Sequence, residues 1–89
     1  MRLDQFLQKT GILKRRSLAK EYCDKGSVSL NKRTAKASHD VSQGDMLEVK
    51  FTDRRCHYKV LGLPVGNVKK EARNEYVEMT SEELFHSDD

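Results

Sequence analysis

The chain has 89 residues, 36% of them hydrophobic and 35% charged, with 17 Lys or Arg against 14 Asp or Glu and a net charge of +3. That length suits one small domain with a modest core and leaves little room for an enclosed catalytic cleft. No apolar run is long enough to span a membrane and no signal-peptide core opens the chain, so a cytoplasmic location is expected.

The charge is unevenly spread. Residues 1–36 carry ten Lys or Arg against three Asp or Glu, a local balance of +7, whereas residues 74–89 carry six acidic side chains and no basic one. A basic front half predicts a polyanionic partner. Two cysteines, Cys23 and Cys56, are too few for a disulfide scaffold and fit no zinc spacing, so neither metal nor cofactor is expected.

In chain order, Leu3, Phe6 and Leu7 recur at helical spacing and predict a short first helix ending near Lys9, with Gly11 as its stop. Asp4 falls in its first turn, where negative charge is favoured. Ile12 and Leu13 bridge to the next element, with Ile12 expected to turn inward. A second helix is predicted from Arg15 or Ser17 to Asp24, started by Ser17 and stopped at Gly26. Leu18, Ala19, Tyr22 and Cys23 share one side of it, and Arg16 and Lys20 share another. Two short helices across a Gly-containing turn make a helical hairpin. A helix-turn-helix regulator of DNA has a similar outline and is the alternative from a different class.

Beyond Gly26 the period changes. Val28, Ser29 and Leu30 alternate as a half-buried strand does, Asn31-Lys32 reads as a turn, and 34–36 as a second short strand. If that turn is of type I′, Lys32 must accept a positive φ. Residues 46–51 alternate again, with Leu47, Val49 and Phe51 on one face. A polar turn over 52–55 leads to a strand over 57–61. A loop around Pro64, a stretch of helical composition over 69–74, a last strand over 76–79 and a frayed acidic tail from 81 complete the reading. The expected fold class is therefore α+β, a two-helix hairpin packed on a small, mostly antiparallel sheet.

Catalysis finds no support. No Ser-His-acid set is locally suggested, and the Gly62 to Gly66 loop lacks the Lys-Ser/Thr of a phosphate-binding loop. No enzyme is expected. Nucleic-acid binding fares better. Lys14, Arg15 and Arg16 lead directly into the second helix, whose start carries unsatisfied N–H groups and a partial positive charge. Cations crowded there make sense if a phosphate is to be held. Lys32, Arg33 and Lys36 can approach the face of Arg16 and Lys20 if the strands pack under the helices. Phe6, Tyr22 and Phe51 read as core rather than as stacking platforms, so the shape and backbone of folded RNA are a better target than single strands.

The blocks MRLDQFL, KRRSLAK, GSVSLN, KAS and VSQGD occur in this order. Together they resemble the RNA-binding domain named after ribosomal protein S-four, over about the first fifty residues. The resemblance implies two helices on a small sheet and binding to folded RNA. The chain is expected to divide into a domain over 1–63, an extension over 64–80 packing on the sheet and, from its composition, an acidic disordered tail over 81–89. As a stand-alone domain the chain looks most like the RqcP-like family of bacterial ribosome quality control; the related fifteen-kilodalton heat-shock proteins are larger and basic at the C-terminus. Asn31-Lys32 stands where Asn-Gly is common. The resemblance implies binding to large-subunit rRNA and to peptidyl-tRNA on obstructed subunits, support of an NFACT-family tailing factor, and a monomer. Carried onto this sequence, it puts Arg2 and Arg16 first as RNA contacts, then Arg15, Lys20 and Lys36, with Lys14, Lys32 and Arg33 in the same basic set and Ser17 and Asn31 as polar contacts. A heat-shock or ribosome-assembly factor of the same fold is the nearer alternative.

Overall fold

Apolar residues three and four apart build the first two elements. α1 (Leu3–Lys9) buries Leu3, Phe6 and Leu7 completely, and α2 (Arg16–Asp24) buries Ala19 and Cys23. Leu18 and Tyr22 rest half-buried against the same core. The computed structural model describes residues 1–64 and 75–85. Between the helices Leu13, not Ile12, is the buried residue: its N–H reaches back to the Leu7 carbonyl at 3.1 Å, while Ile12 packs half-buried at the margin.

The end of α2 follows from Gly26. At φ 79° it occupies the left-handed region that glycine enters without cost. Its N–H meets the Cys23 carbonyl at 3.0 Å, and the Ser27 N–H meets the Tyr22 carbonyl at 2.9 Å, which satisfies the last carbonyls of the helix. The start differs from the sequence reading. Arg15 takes the N-cap position, no side chain caps the helix, and Ser17 is the second helical residue, exposed.

Five strands follow: β1 (Val28–Leu30), β2 (Arg33–Thr34), β3 (Met46–Lys50), β4 (Arg54–Val60) and β5 (Val77–Leu84). They form one antiparallel sheet in the order β2-β1-β3-β4-β5, so the fold is α+β as expected. Val28 lies opposite Val49 and Leu30 opposite Leu47; Val49 in turn faces Cys56, and Leu47 faces Tyr58. These buried cross-strand pairs join the helix residues in one continuous core.

Strand boundaries depart from the periodicity. β2 spans Arg33 and Thr34 rather than 34–36: the buried Ala35 still donates its N–H to the Val28 carbonyl at 3.0 Å, but the carbonyl of Ala37, also buried, accepts from Asp4 at the start of α1 instead. β4 begins at Arg54, inside the stretch read as a polar turn. β5 runs on through Leu84, where the polar composition suggested a frayed end. Opposite charges explain both extensions. Arg54 Nε lies 3.4 Å from Glu82 and Arg55 lies 3.5 Å from Glu83 across the β4–β5 ladder. The stretch 69–74, read as helical in composition, and residues 86–89 lie outside the described residues.

Candidate nucleic-acid interface

The site begins with the pairing of the first residues. Arg2 forms an isolated β-bridge with Asp40, the Leu3 N–H meets the His39 carbonyl at 2.8 Å, and the Asp4 N–H meets the Ala37 carbonyl at 3.1 Å. These bonds draw residues 36–38 alongside the start of α1.

Asp4 is the organising group. Its side chain is only 4% exposed, yet it faces two arginines, Arg2 with Nε at 3.2 Å and Arg16 with Nε at 3.4 Å, and accepts the Gln5 N–H at 2.7 Å. The two guanidinium side chains are 49% and 52% exposed. A carboxylate beneath them therefore fixes part of each fork and leaves the rest to solvent. A guanidinium so held is suited to a phosphate, which it can meet with paired donors. Burial alone would raise the Asp4 pKa. The Arg2 hydrogen bond, the Gln5 N–H and the nearby Arg16 charge outweigh it and hold the carboxyl below its ordinary 3.8.

A pH dependence follows, with its sign set by that depression. The stability Asp4 contributes is present in full above the unfolded-state value and is lost as pH falls through the lower folded-state value. Urea midpoints should therefore drop between pH 5 and pH 2, and Asp4→Asn should flatten the drop. An unchanged acid profile in Asp4→Asn would contradict this.

An open groove of about 500 Å³ runs between α2 and residues 34–38, with Arg2, Lys20, Thr34, Lys36 and Ser38 along it and one carboxylate, Asp24, among its lining. Three of the sequence-predicted cations thus share one groove, and Arg16 joins them through Asp4. The nearly buried Cys23 lines the groove too. Burial, with the negative charges of Asp4 and Asp24 adding to it, pushes its thiol up to about 11, so it stays protonated at neutral pH.

The other candidates divide. Lys14, Arg15 and Ser17 line a second groove of about 340 Å³ at the start of α2, with Leu18 and Glu21. Asn31 has its side chain engaged within the fold: Nδ2 donates to Asp45 Oδ1 at 3.2 Å and Oδ1 accepts the Met46 N–H at 3.0 Å. Lys32 and Arg33 are exposed on the β1–β2 turn and the edge strand and are not among the residues lining the first groove. Tyr22 and Phe51 meet edge-on at 5.9 Å. Lys25 stands 4.2 Å over the first ring and Arg54 4.8 Å over the second, so cations already cover these faces.

Asp4 is the residue the sequence reading passed over. Its signal was present, an acid two positions after Arg2 in a basic segment, but a helix-dipole role accounted for it until its burial was seen.

Known proteins share this arrangement of chain. Residues 1–47 match the S4 domain. The chain is 44% identical over 84 residues to the RQC P-site tRNA stabilizing factor of Bacillus subtilis (strain 168), covering 94% of this chain and 98% of that protein. It is 38% identical over 78 residues to the protein of the same name from Helicobacter pylori (strain 26695), covering 86% and 93%. Among solved structures, the trimeric Heat Shock Protein 15 of Vibrio cholerae has a TM-score of 0.82 at 23% identity, covering 91% of this chain and 82% of that one; it speaks to the fold. A hypothetical protein solved in solution has a TM-score of 0.79 at 36% identity, covering 91% and 98%. A domain match across the first half and near full-length identity to such relatives lead to one conclusion: the chain belongs to the S4-domain family of RQC P-site tRNA stabilizing factors.

Proposed function

We propose that this protein is a non-catalytic RNA-binding factor of ribosome quality control. It binds obstructed large ribosomal subunits that carry peptidyl-tRNA, touches rRNA and tRNA, and steadies the tRNA while an NFACT-family partner extends the stalled chain. It acts as a monomer, in the cytoplasm and on the ribosome. The observation that carries the reading is the convergence of Arg2, Lys20 and Lys36 on one groove, with Arg16 tied to Arg2 through the buried Asp4. The names of the relatives, P-site tRNA stabilizing factors, support tRNA as part of that RNA.

Chemically, the groove offers positive charge and hydrogen-bond donors to a phosphate backbone. Each phosphate neutralised releases counterions, so binding should weaken steeply with salt. Lys14 and Arg15, beside the second groove, extend the cationic surface around the start of α2.

The test is co-sedimentation with purified large subunits, with and without peptidyl-tRNA, across a salt series. Retention on the tRNA-bearing subunits, reduced on empty ones, is expected. Failure to co-migrate at moderate salt overturns the proposal. A second reading is a heat-shock or assembly factor of the same fold. It requires equal binding to empty and obstructed subunits. A DNA regulator would instead prefer a duplex DNA sequence to structured RNA.

A further inference from the structure

We infer that the outer edge of β5 takes up an extended, Lys/Arg-rich segment of a partner protein as a sixth strand of the sheet. This edge lies at the opposite end of the sheet from the basic groove, so the inference stands apart from the RNA reading.

The first observation is an open edge. The sheet ends in β2 on one side and β5 on the other, and among the described residues no strand lies beyond β5. The β2 edge is guarded: it is two residues long and carries Arg33. β5 is eight residues long, with neither proline nor lysine. One register shift against β4, between His57 and Tyr58, divides it into two runs. Its far end is held, since the Phe85 N–H meets the Asp53 carbonyl at 3.0 Å. A strand so fixed presents a ready row of backbone donors and acceptors for strand addition.

The second observation is apolar surface on the same strand. Met79 lies opposite the core residue Tyr58, and Leu84 lies opposite Arg54, two strand repeats beyond Tyr58 on β4. Both therefore stand on the face that the helices occupy. Val77 on that face is buried, but Met79 is 50% and Leu84 61% exposed, so the core stops short of them.

Charge decides the occupant. β5 bears Glu78, Glu82 and Glu83 and no cation. Glu82 and Glu83 reach back to Arg54 and Arg55, yet their side chains stay 40% and 57% exposed, and Glu78 is exposed too. RNA is repelled by such an edge. A second copy fits no better. Antiparallel pairing of β5 with itself over its full length sets Glu78 opposite Glu83 twice, and parallel pairing in register sets each glutamate against its twin. A strand that alternates Lys or Arg with apolar residues answers both the carboxylates and the exposed Met79 and Leu84.

The experiment titrates the isotope-labelled full chain with an eight-residue peptide of alternating Lys and Val, followed by amide NMR and hydrogen exchange. Signals of residues 77–84 are expected to shift and their exchange to slow, while those of Lys20 and Lys36 stay in place. Glu78→Lys and Leu84→Thr, both at exposed positions, should each weaken the peptide several-fold with melting within a few degrees of the unaltered protein. The same peptide with a central proline should bind at least tenfold more weakly, as should one of alternating Glu and Val. Unmoved 77–84 signals overturn the inference. So does an equal response to the proline-bearing peptide, which would mark charge attraction without strand addition. Shifts of the same signals on concentrating the free protein, or on adding structured RNA, would assign the edge to a second copy or to nucleic acid and overturn it as well.

Discussion

Arg16→Ala is expected to weaken binding to peptidyl-tRNA-bearing large subunits by about 1–3 kcal/mol, roughly 5- to 150-fold. The size reflects a charge-assisted contact from a guanidinium already oriented before RNA arrives. Arg16 Nε sits 3.4 Å from the buried Asp4, so little side-chain freedom remains to be lost on binding. From the sequence, an exposed arginine should matter little to folding. The ion pair with Asp4 changes that expectation modestly. Asp4 keeps Arg2 and the Gln5 N–H after the substitution, so the loss of stability should stay within about 1 kcal/mol. Arg16→Lys keeps the charge without the planar fork and should restore only part of the affinity. Denaturation midpoints beside binding curves separate the two effects. A variant that unfolds easily but binds normally when folded would contradict this role.

Phe6→Ala is expected to destabilise the protein by about 3–5 kcal/mol. Phe6 is completely buried, and α1 has only seven residues, of which Leu3, Phe6 and Leu7 provide the anchoring side chains. Against a total of about 5–15 kcal/mol for small domains, such a loss leaves the chain barely folded. Leu18→Ala should cost less, about 2 kcal/mol, since Leu18 lies half-buried at the margin of the core. Urea titrations with unchanged slope would read both values directly. A loss below about 1 kcal/mol for Phe6→Ala would mean that α1 is not packed as described. RNA binding should fall with Phe6→Ala only as far as the folded fraction falls, in contrast to Arg16→Ala.

The helices were legible because their apolar residues recur at helical spacing and because Gly11 and Gly26 mark their ends. The Asn31-Lys32 turn was legible too, down to the positive φ of Lys32. Helix capping was less so: Ser17 has the chemistry of a cap, but the N-cap position falls two residues earlier, at Arg15. Strand ends at Arg54 and Leu84 were hidden for a different reason. Arg54, Arg55, Glu82 and Glu83 look like solvated surface when read singly, and only their apposition across two strands turns them into sheet.

The basic cluster was legible as composition, not as a surface. Nothing near Arg2 in sequence shows that Lys36 shares its groove; the bridge between Arg2 and Asp40 brings them together. Nor does the sequence reveal that one buried carboxylate serves both Arg2 and Arg16. Burial is a property of the packed core, and Asp4 acquires it only once α1 closes against residues 37–41.

The most direct measurement of the central claim uses a photocrosslinking residue at either of two exposed serines. Ser38 borders the groove, and Ser81 lies on β5, at the opposite edge of the sheet from β2, about 19 Å across four strand spacings. On subunits bearing peptidyl-tRNA, position 38 should crosslink to RNA and position 81 should not. Crosslinks from 81 alone would mean that RNA lies against the far edge of the sheet and that the groove is not where it binds.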